Sequence, residues 1–159
     1  MHPVPDIDDL RDVPRFEDVA AERGWREWWQ GSAVTLADHR ARTAESLGPN
    51  AMPLTLIAHR GGAFLGMASL IASDMDARPA LTPWIAAVYV EPEARGQGLG
   101  TRLVEAATAR GFAQGHATLF LCAEPRNGGF YERLGWRRIE RDVDGLDIFS
   151  LALVSRAAP

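Results

Sequence analysis

A chain of 159 residues, 47% hydrophobic and 24% charged, has the composition of a globular protein and the length of one domain with a real core. Its formal net charge of -4 argues against general nucleic-acid binding, and its one cysteine, Cys122, excludes an intramolecular disulfide framework or a multi-cysteine metal site. No apolar run approaches the roughly 20 residues that cross a bilayer, and the start Met1-His2-Pro3-Val4-Pro5-Asp6 lacks the basic and apolar parts of a signal peptide, so a cytoplasmic protein is expected.

Residues 1–12 are rich in proline and aspartate and are read as a mobile terminus, with a short edge strand as the alternative. Pro14 suits the first turn of a helix carrying Phe16, Val19 and Ala20 on one face, with a break expected at Gly24. Trp25, Trp28 and Trp29 follow, as plugs of the core or as lining of a substrate pocket. Thr35-Leu36-Ala37-Asp38 resembles a capping box and opens a surface helix that ends before Gly48-Pro49. Strand-like runs from Thr55 to His59 and from Phe64 to Ser73 flank Arg60-Gly61-Gly62, a hairpin signal. The stretch from Asp74 to Pro83 is a loop, placed to act as a substrate lid.

Trp84 to Val90 is apolar almost throughout, as in a central strand covered on both faces. A helix is predicted from about Gly98 to Arg110, with Leu99, Leu103, Val104 and Ala107 inward and Gly111 as its left-handed cap. Ala117 to Cys122 is a second buried strand, parallel to the first because a helix joins them. A short helix from Arg126 to Leu134 stops at Gly135. Trp136 to Arg141 and Asp147 to Leu153 then form a hairpin about Asp144-Gly145, and residues 155–159 are a mobile tail.

The centre of this pattern is the passage from strand to helix: Val88-Tyr89-Val90, a polar turn, then Arg95-Gly96-Gln97-Gly98-Leu99-Gly100-Thr101. The first amides of a helix have no partner within it, and its dipole adds positive charge there. Glycines let phosphate oxygens come close to such amides, so the stretch suits a phosphorylated ligand. Two nucleotide motifs fail. A dinucleotide fingerprint needs glycines spaced G-x-G-x-x-G and an acid ending the next strand, whereas these fall at 96, 98 and 100 and the strand ends at Ala123, short of Glu124. A P-loop needs a lysine, and the chain has none. The bland alternative is a turn that serves only compact geometry.

Arg95-Gly96-Gln97-Gly98-Leu99-Gly100 fits Arg/Gln-x-x-Gly-x-Gly/Ala, and about 30 residues on comes Gly129-Phe130-Tyr131-Glu132-Arg133-Leu134-Gly135-Trp136. Together and in this order they resemble the acetyl-CoA motif and the Phe-Tyr-x-x-x-Gly-Phe segment of the GNAT superfamily of N-acetyltransferases. The resemblance is specific from Trp84 to Arg141 and topological elsewhere. It implies a single α/β domain over residues 1–159: a mixed, mostly antiparallel twisted sheet of six or seven strands, helices on both faces, and a central parallel pair splayed for CoA. It implies that amides of Gly96, Gln97, Gly98, Leu99, Gly100 and Thr101 hold the CoA pyrophosphate, with Arg95 flanking them. The backbone of Val88, Tyr89 and Val90 would meet the pantetheine arm and polarise the thioester. Phe130 would pack beside the arm, and Tyr131 would protonate the leaving thiolate as general acid.

The match thins in two places. Relatives carry Asn seven residues before the tyrosine, where this chain has Glu124, and Asn127 stands where a small residue is usual, so it caps the helix or reaches the cofactor. Some relatives place a glutamate base at the position of Trp84. Glu124, His59 and Asp74 are the candidates left by position, each with a solvated or structural alternative, and Glu124 is taken with Tyr131 as the catalytic pair. His39 and His116 fall on surfaces, the four histidines show no metal-ligand spacing, and Cys122 reads as a small apolar residue. The function expected is acetyl transfer from acetyl-CoA to a primary amine of a small molecule or peptide by direct attack, without metal, membrane or nucleic acid, in a monomer or homodimer. The alternatives are another acyl-CoA or acceptor, or a CoA-binding interaction domain without turnover.

Overall fold

The computed structural model describes residues 3–154, so the tail at 155–159 lies outside the described residues. In chain order the elements are β1 (Asp6–Asp9), α1 (Glu17–Gly24), α2 (Leu36–Ala44), β2 (Leu54–Arg60), β3 (Ala63–Ile71), β4 (Trp84–Val90), α3 (Leu99–Ala113), β5 (Thr118–Ala123), α4 (Gly128–Arg133), β6 (Arg137–Val143) and β7 (Leu146–Ala152). The strands make one sheet in the order β1-β2-β3-β4-β5-β7-β6, in which only β4 and β5 are parallel. This is the mixed α/β architecture that the sequence implies. Among the described residues no helix is long and apolar enough to cross a membrane.

Alternation along β2 shows how the sheet is covered on both sides. Leu54, Leu56 and Ala58 join the core beneath α3, with Leu103, Val104 and Ala107, while Ile57 points to the other face among Phe16, Ala20 and Met67. A third cluster, Trp84, Met75, Val143 and Ile148, sits at the start of β4 and against β7. Residues 6–9, read as mobile or as an edge strand, pair with β2, and Leu10 is fully buried, so apolar anchoring holds this end in the sheet.

Several local expectations change. Two glycines expected to end helices instead let elements approach: a Cβ on Gly24 would come 2.7 Å from His39 Nε2, and one on Gly111 would come 2.8 Å from Leu119. The first helix therefore runs on through a π-helical turn at Trp25–Trp29, and α3 runs on to Ala113. Trp28 and Trp29 do not plug the core; they are 45% and 37% exposed, and Arg42 lies 5.4 Å from the Trp29 ring. The capping box forms as written, with Asp38 N–H donating to Thr35 Oγ1 and Thr35 N–H to Asp38, each at 3.0 Å.

The seat of α4 was not expected. Arg138 of β6 ion-pairs with buried Asp147 at 3.2 Å and with Glu132 of α4 at 3.4 Å, and its guanidinium lies 5.0 Å from the Phe149 ring. A Cβ at residue 128 would fall 1.6 Å from Arg138 Nη2, so any side chain there would displace the guanidinium over which the helix starts. Breaking a buried pair leaves an uncompensated charge, which costs about 3 kcal/mol or more. Asp147→Ala should therefore lower urea-unfolding stability by that order, and Arg138→Met with Asp147→Leu should recover most of the loss.

Candidate active site

The sheet parts at its centre. β4 and β5 share a single rung, Trp84 with Phe120, next to which Phe120 N–H donates to Pro83 O at 3.0 Å. Beyond it β5 stays paired with β7 along all six residues, while β4 follows β3 through a bulge. Two residues, Ala87 and Val88, stand against Ala68, and Ala87 has φ +53°, which kinks the strand away from β5. Glu91 N–H donates to Leu65 O of β3 at 2.8 Å. Peptide groups alternate along a strand, so those of Tyr89 and Glu91 face β3 and those of Val88 and Val90 face the gap. The Val90 carbonyl accepts Arg95 Nε at 2.9 Å, so Arg95 folds back on the strand end, with its guanidinium 5.9 Å from the Tyr89 ring.

Past Val90 the chain turns and enters α3. Gly96 and Gly98 have φ +77° and +80°, and Gly98 is the left-handed residue before the helix. Nothing lies within 4 Å of a Cβ at either position, so glycine is required there by conformation and not by space. The first intrahelical bond runs from Arg102 N–H to Gly98 O at 3.1 Å, which leaves the amides of Leu99, Gly100 and Thr101 without helical partners. Leu99 is buried in the core, so toward a ligand it has only its amide to offer. Gln97 is exposed on the loop, and Thr101 is half-buried.

α4 closes this side of the gap. A Cβ at Gly100 would lie 3.7 Å from Phe130 Cζ and 3.8 Å from Val90 Cγ2, so the α3 start, the end of β4 and α4 converge. Tyr131 packs edge-on to Phe130 at 4.9 Å and lies 6.0 Å from buried Phe149. Among the described residues no protein group hydrogen-bonds its hydroxyl. Burial, with a smaller contribution from Cys122, pushes its pKa from the ordinary 10 up to about 12.

Other expected residues lie apart. Glu124, at the end of β5, is exposed and pairs with Arg126 at 2.6 Å. Asn127 is exposed and precedes α4 without a side-chain capping bond. His59 Nε2 bonds Asp8 at 2.7 Å across β2 and β1, with Phe16 5.2 Å away, on the far side of β3 from the gap. The loop after β3 is pinned: Met75 is buried, Arg78 makes two 2.8 Å bonds to Glu140 of β6, and Trp84 Nε1 donates to Leu81 O. On that loop Asp74 accepts a 3.3 Å bond from Cys122 Sγ, a contact between residues 48 apart that no sequence spacing marks. Burial, then the charge of Asp74, drives the thiol up to about 12, so it stays protonated and poorly nucleophilic.

This geometry agrees with what the chain is similar to. The acetyltransferase (GNAT) family matches over residues 14–136, and the chain belongs to that family. Among solved structures it is similar to an aminoglycoside 6'-N-acetyltransferase complexed with coenzyme A, at 15% identity and TM-score 0.75, covering 96% of this chain and 99% of that one. It is also similar to YncA of Salmonella typhimurium with its cofactor acetyl-CoA, at 19% identity and TM-score 0.68 over 99% and 98% of the chains. A third is an acyl-CoA N-acyltransferase from Pseudomonas aeruginosa, at 19% identity and TM-score 0.67 over 93% and 99%. No curated protein sequence matches.

Since the left-handed positions tolerate only glycine cheaply, Gly98→Ala should cost roughly 1–2 kcal/mol of stability. Gly100→Ala, where a methyl would meet ordinary van der Waals contacts, should leave the melting temperature nearly unchanged. Thermal denaturation of the two variants checks the contrast.

Proposed function

We propose that the protein transfers an acetyl group from acetyl-CoA to a primary amine of a small molecule or peptide, by direct attack and without an acyl-enzyme. The observation that carries this reading is the gap between β4 and β5, bordered by unpaired backbone on one edge and by Tyr131 beside it. A sheet that leaves central peptide groups unpaired needs a ligand to pair them, and the extended, amide-bearing pantetheine arm has the complementary groups. The amides of Gln97, Gly98, Leu99, Gly100 and Thr101, with Gly96 and Arg95 on the approach, would receive the pyrophosphate at the start of α3. Phe130, which meets the Gly100 and Val90 side, would pack beside that arm, and Asn127, exposed just before α4, would reach it from outside.

The chemistry follows from what each group can do. Val88 N–H, on the gap side of the strand, would donate to the thioester oxygen and stabilise negative charge as the amine adds. Collapse breaks the C–S bond, and Tyr131 supplies a proton to the departing sulfur. A phenol raised to about 12 remains protonated through neutral and moderately alkaline pH, so it is present in its acid form whenever it is needed. A carboxylate at the mouth of the gap, Glu124 or Asp74, would take the proton of the incoming ammonium group. Cys122 is an unsuitable acyl acceptor, because its thiol is held in the protonated form.

Tyr131→Phe should lower kcat by about 10²-fold or more while leaving the CoA dissociation constant, read by calorimetry, nearly unchanged. A rate unaffected across pH would remove Tyr131 as the acid. The raised value has its own signature. Tyr89 is also raised, chiefly by burial, so neither of the two tyrosines should ionise at the ordinary value. Native-state absorbance should therefore show tyrosinate appearing only above pH 10, with the step near 12 missing in Tyr131→Phe. By linkage, the neutral phenol's contribution to stability is intact below pH 10 and is lost as pH rises toward 12.

A further inference from the structure

The geometry points to Asp74 as the general base of the proposed reaction, its carboxylate held by the Cys122 thiol on the face of the β4–β5 gap opposite α4 and Tyr131. This inference rests on the transferase reading above. Its basis is the facing of β5. Leu119, Leu121 and Ala123 point into the core beneath α3 and α4, whereas Phe120 and Cys122 point to the other face, with Trp84, Met75 and Ile148. Phe120 makes the last rung with β4, so Cys122, two residues on, stands where the strands have already parted. The 3.3 Å bond from its thiol places the Asp74 carboxylate at that opening. Tyr131 packs with the core on the α4 side. Acid and base therefore approach one gap from opposite faces, as an amine arriving on one side and a thiol leaving on the other require.

The surroundings suit the role. Asp74 presents surface to solvent, yet enough protein surrounds it that desolvation raises its pKa, against a smaller lowering by the Cys122 bond. A carboxylate whose pKa is raised is a stronger base. Of the charged groups nearby, Asp76 on the same loop is exposed to solvent, and two others are paired. Arg78 of the same loop is paired with Glu140 of β6, and Glu124 beyond β5 with Arg126. The pinning of the loop through Met75 and Arg78 holds Asp74 in place.

The step balances as follows. The ammonium group gives one proton to the Asp74 carboxylate, and its freed electron pair forms the N–C bond at the acyl carbon. The C–S bond breaks, sulfur leaves with its electron pair and takes the Tyr131 proton, and the second proton lost from nitrogen restores Tyr131. The proton on Asp74 passes to solvent.

The test is thiol release from acetyl-CoA over a panel of primary alkylamines, each set beside the O-alkylhydroxylamine of the same chain, which is already neutral at neutral pH. Asp74→Asn should lose about 10²-fold or more in kcat/KM with alkylamines and far less with O-alkylhydroxylamines, and its acidic limb should disappear. Cys122→Ala removes the bond that lowers the Asp74 pKa, so it should still turn over, with its acidic limb moved to higher pH. Equal rates in Asp74→Asn and wild type, an equal loss with both kinds of acceptor, or the amine-selective loss in Glu124→Gln instead would overturn the assignment and leave the transferase reading standing. A wild type that releases no thiol across the panel would overturn both.

Discussion

The molecule depends on a sheet that is deliberately incomplete. β5 is bonded along its whole length to β7 and by one rung to β4. The bulge at Ala87 and Val88 turns β4 toward β3, so the two strands cannot close on each other. Open backbone inside a domain is costly, because each buried peptide group without a partner forfeits a hydrogen bond. The opening is narrow at one end, where the tilted rings of Trp84 and Phe120 lie 5.9 Å apart, and widens toward the other. Stability is concentrated in the clusters on either side, and function in the part that they hold open.

Two polar contacts fix what faces that opening. On one side the Arg138–Asp147 pair seats α4 and with it Phe130 and Tyr131. On the other the Cys122–Asp74 bond holds a loop carboxylate against β5. The second joins residues 48 apart in the chain, while the first crosses the β6–β7 hairpin and reaches α4 through the contact of Arg138 with Glu132. A short helix of six residues has little stability of its own. Its orientation is therefore set by what it rests on: the guanidinium beneath Gly128 and the ring of Phe149 beneath Tyr131.

What the sequence disclosed follows from where backbone chemistry restricts residue choice. The loop at Gly96 and Gly98 is legible because two left-handed positions demand glycine, and the capping box because Thr35 and Asp38 satisfy each other's amides. The buried strands β4 and β5 show in their apolar runs. The bulge is invisible, since its positive φ falls on Ala87, which carries no mark of it. Gly24 and Gly111 misled because glycine serves close packing as well as helix termination, and only the neighbours His39 and Leu119 tell the two apart. The insertion of β7 between β5 and β6 is a matter of pairing, which the order of elements along the chain does not specify. Asp74 could be named from sequence only as one carboxylate among several.

On the proposed assignment, acid and base on opposite faces would account for a wholly buried tryptophan at the β4 position where some relatives place a glutamate. Trp84 closes the narrow end of the gap and packs on Met75, the residue after Asp74. A carboxylate at that depth would be desolvated on all sides and would lose charge. A base on the loop, as proposed, would be near enough to solvent to pass on its proton, while the buried indole fills the narrow end of the gap. Desolvation in the proposed site would strengthen the effect of a Val88 amide on a developing oxyanion. On this arrangement the aromatic side chain and the displaced carboxylate are one solution to a single electrostatic problem.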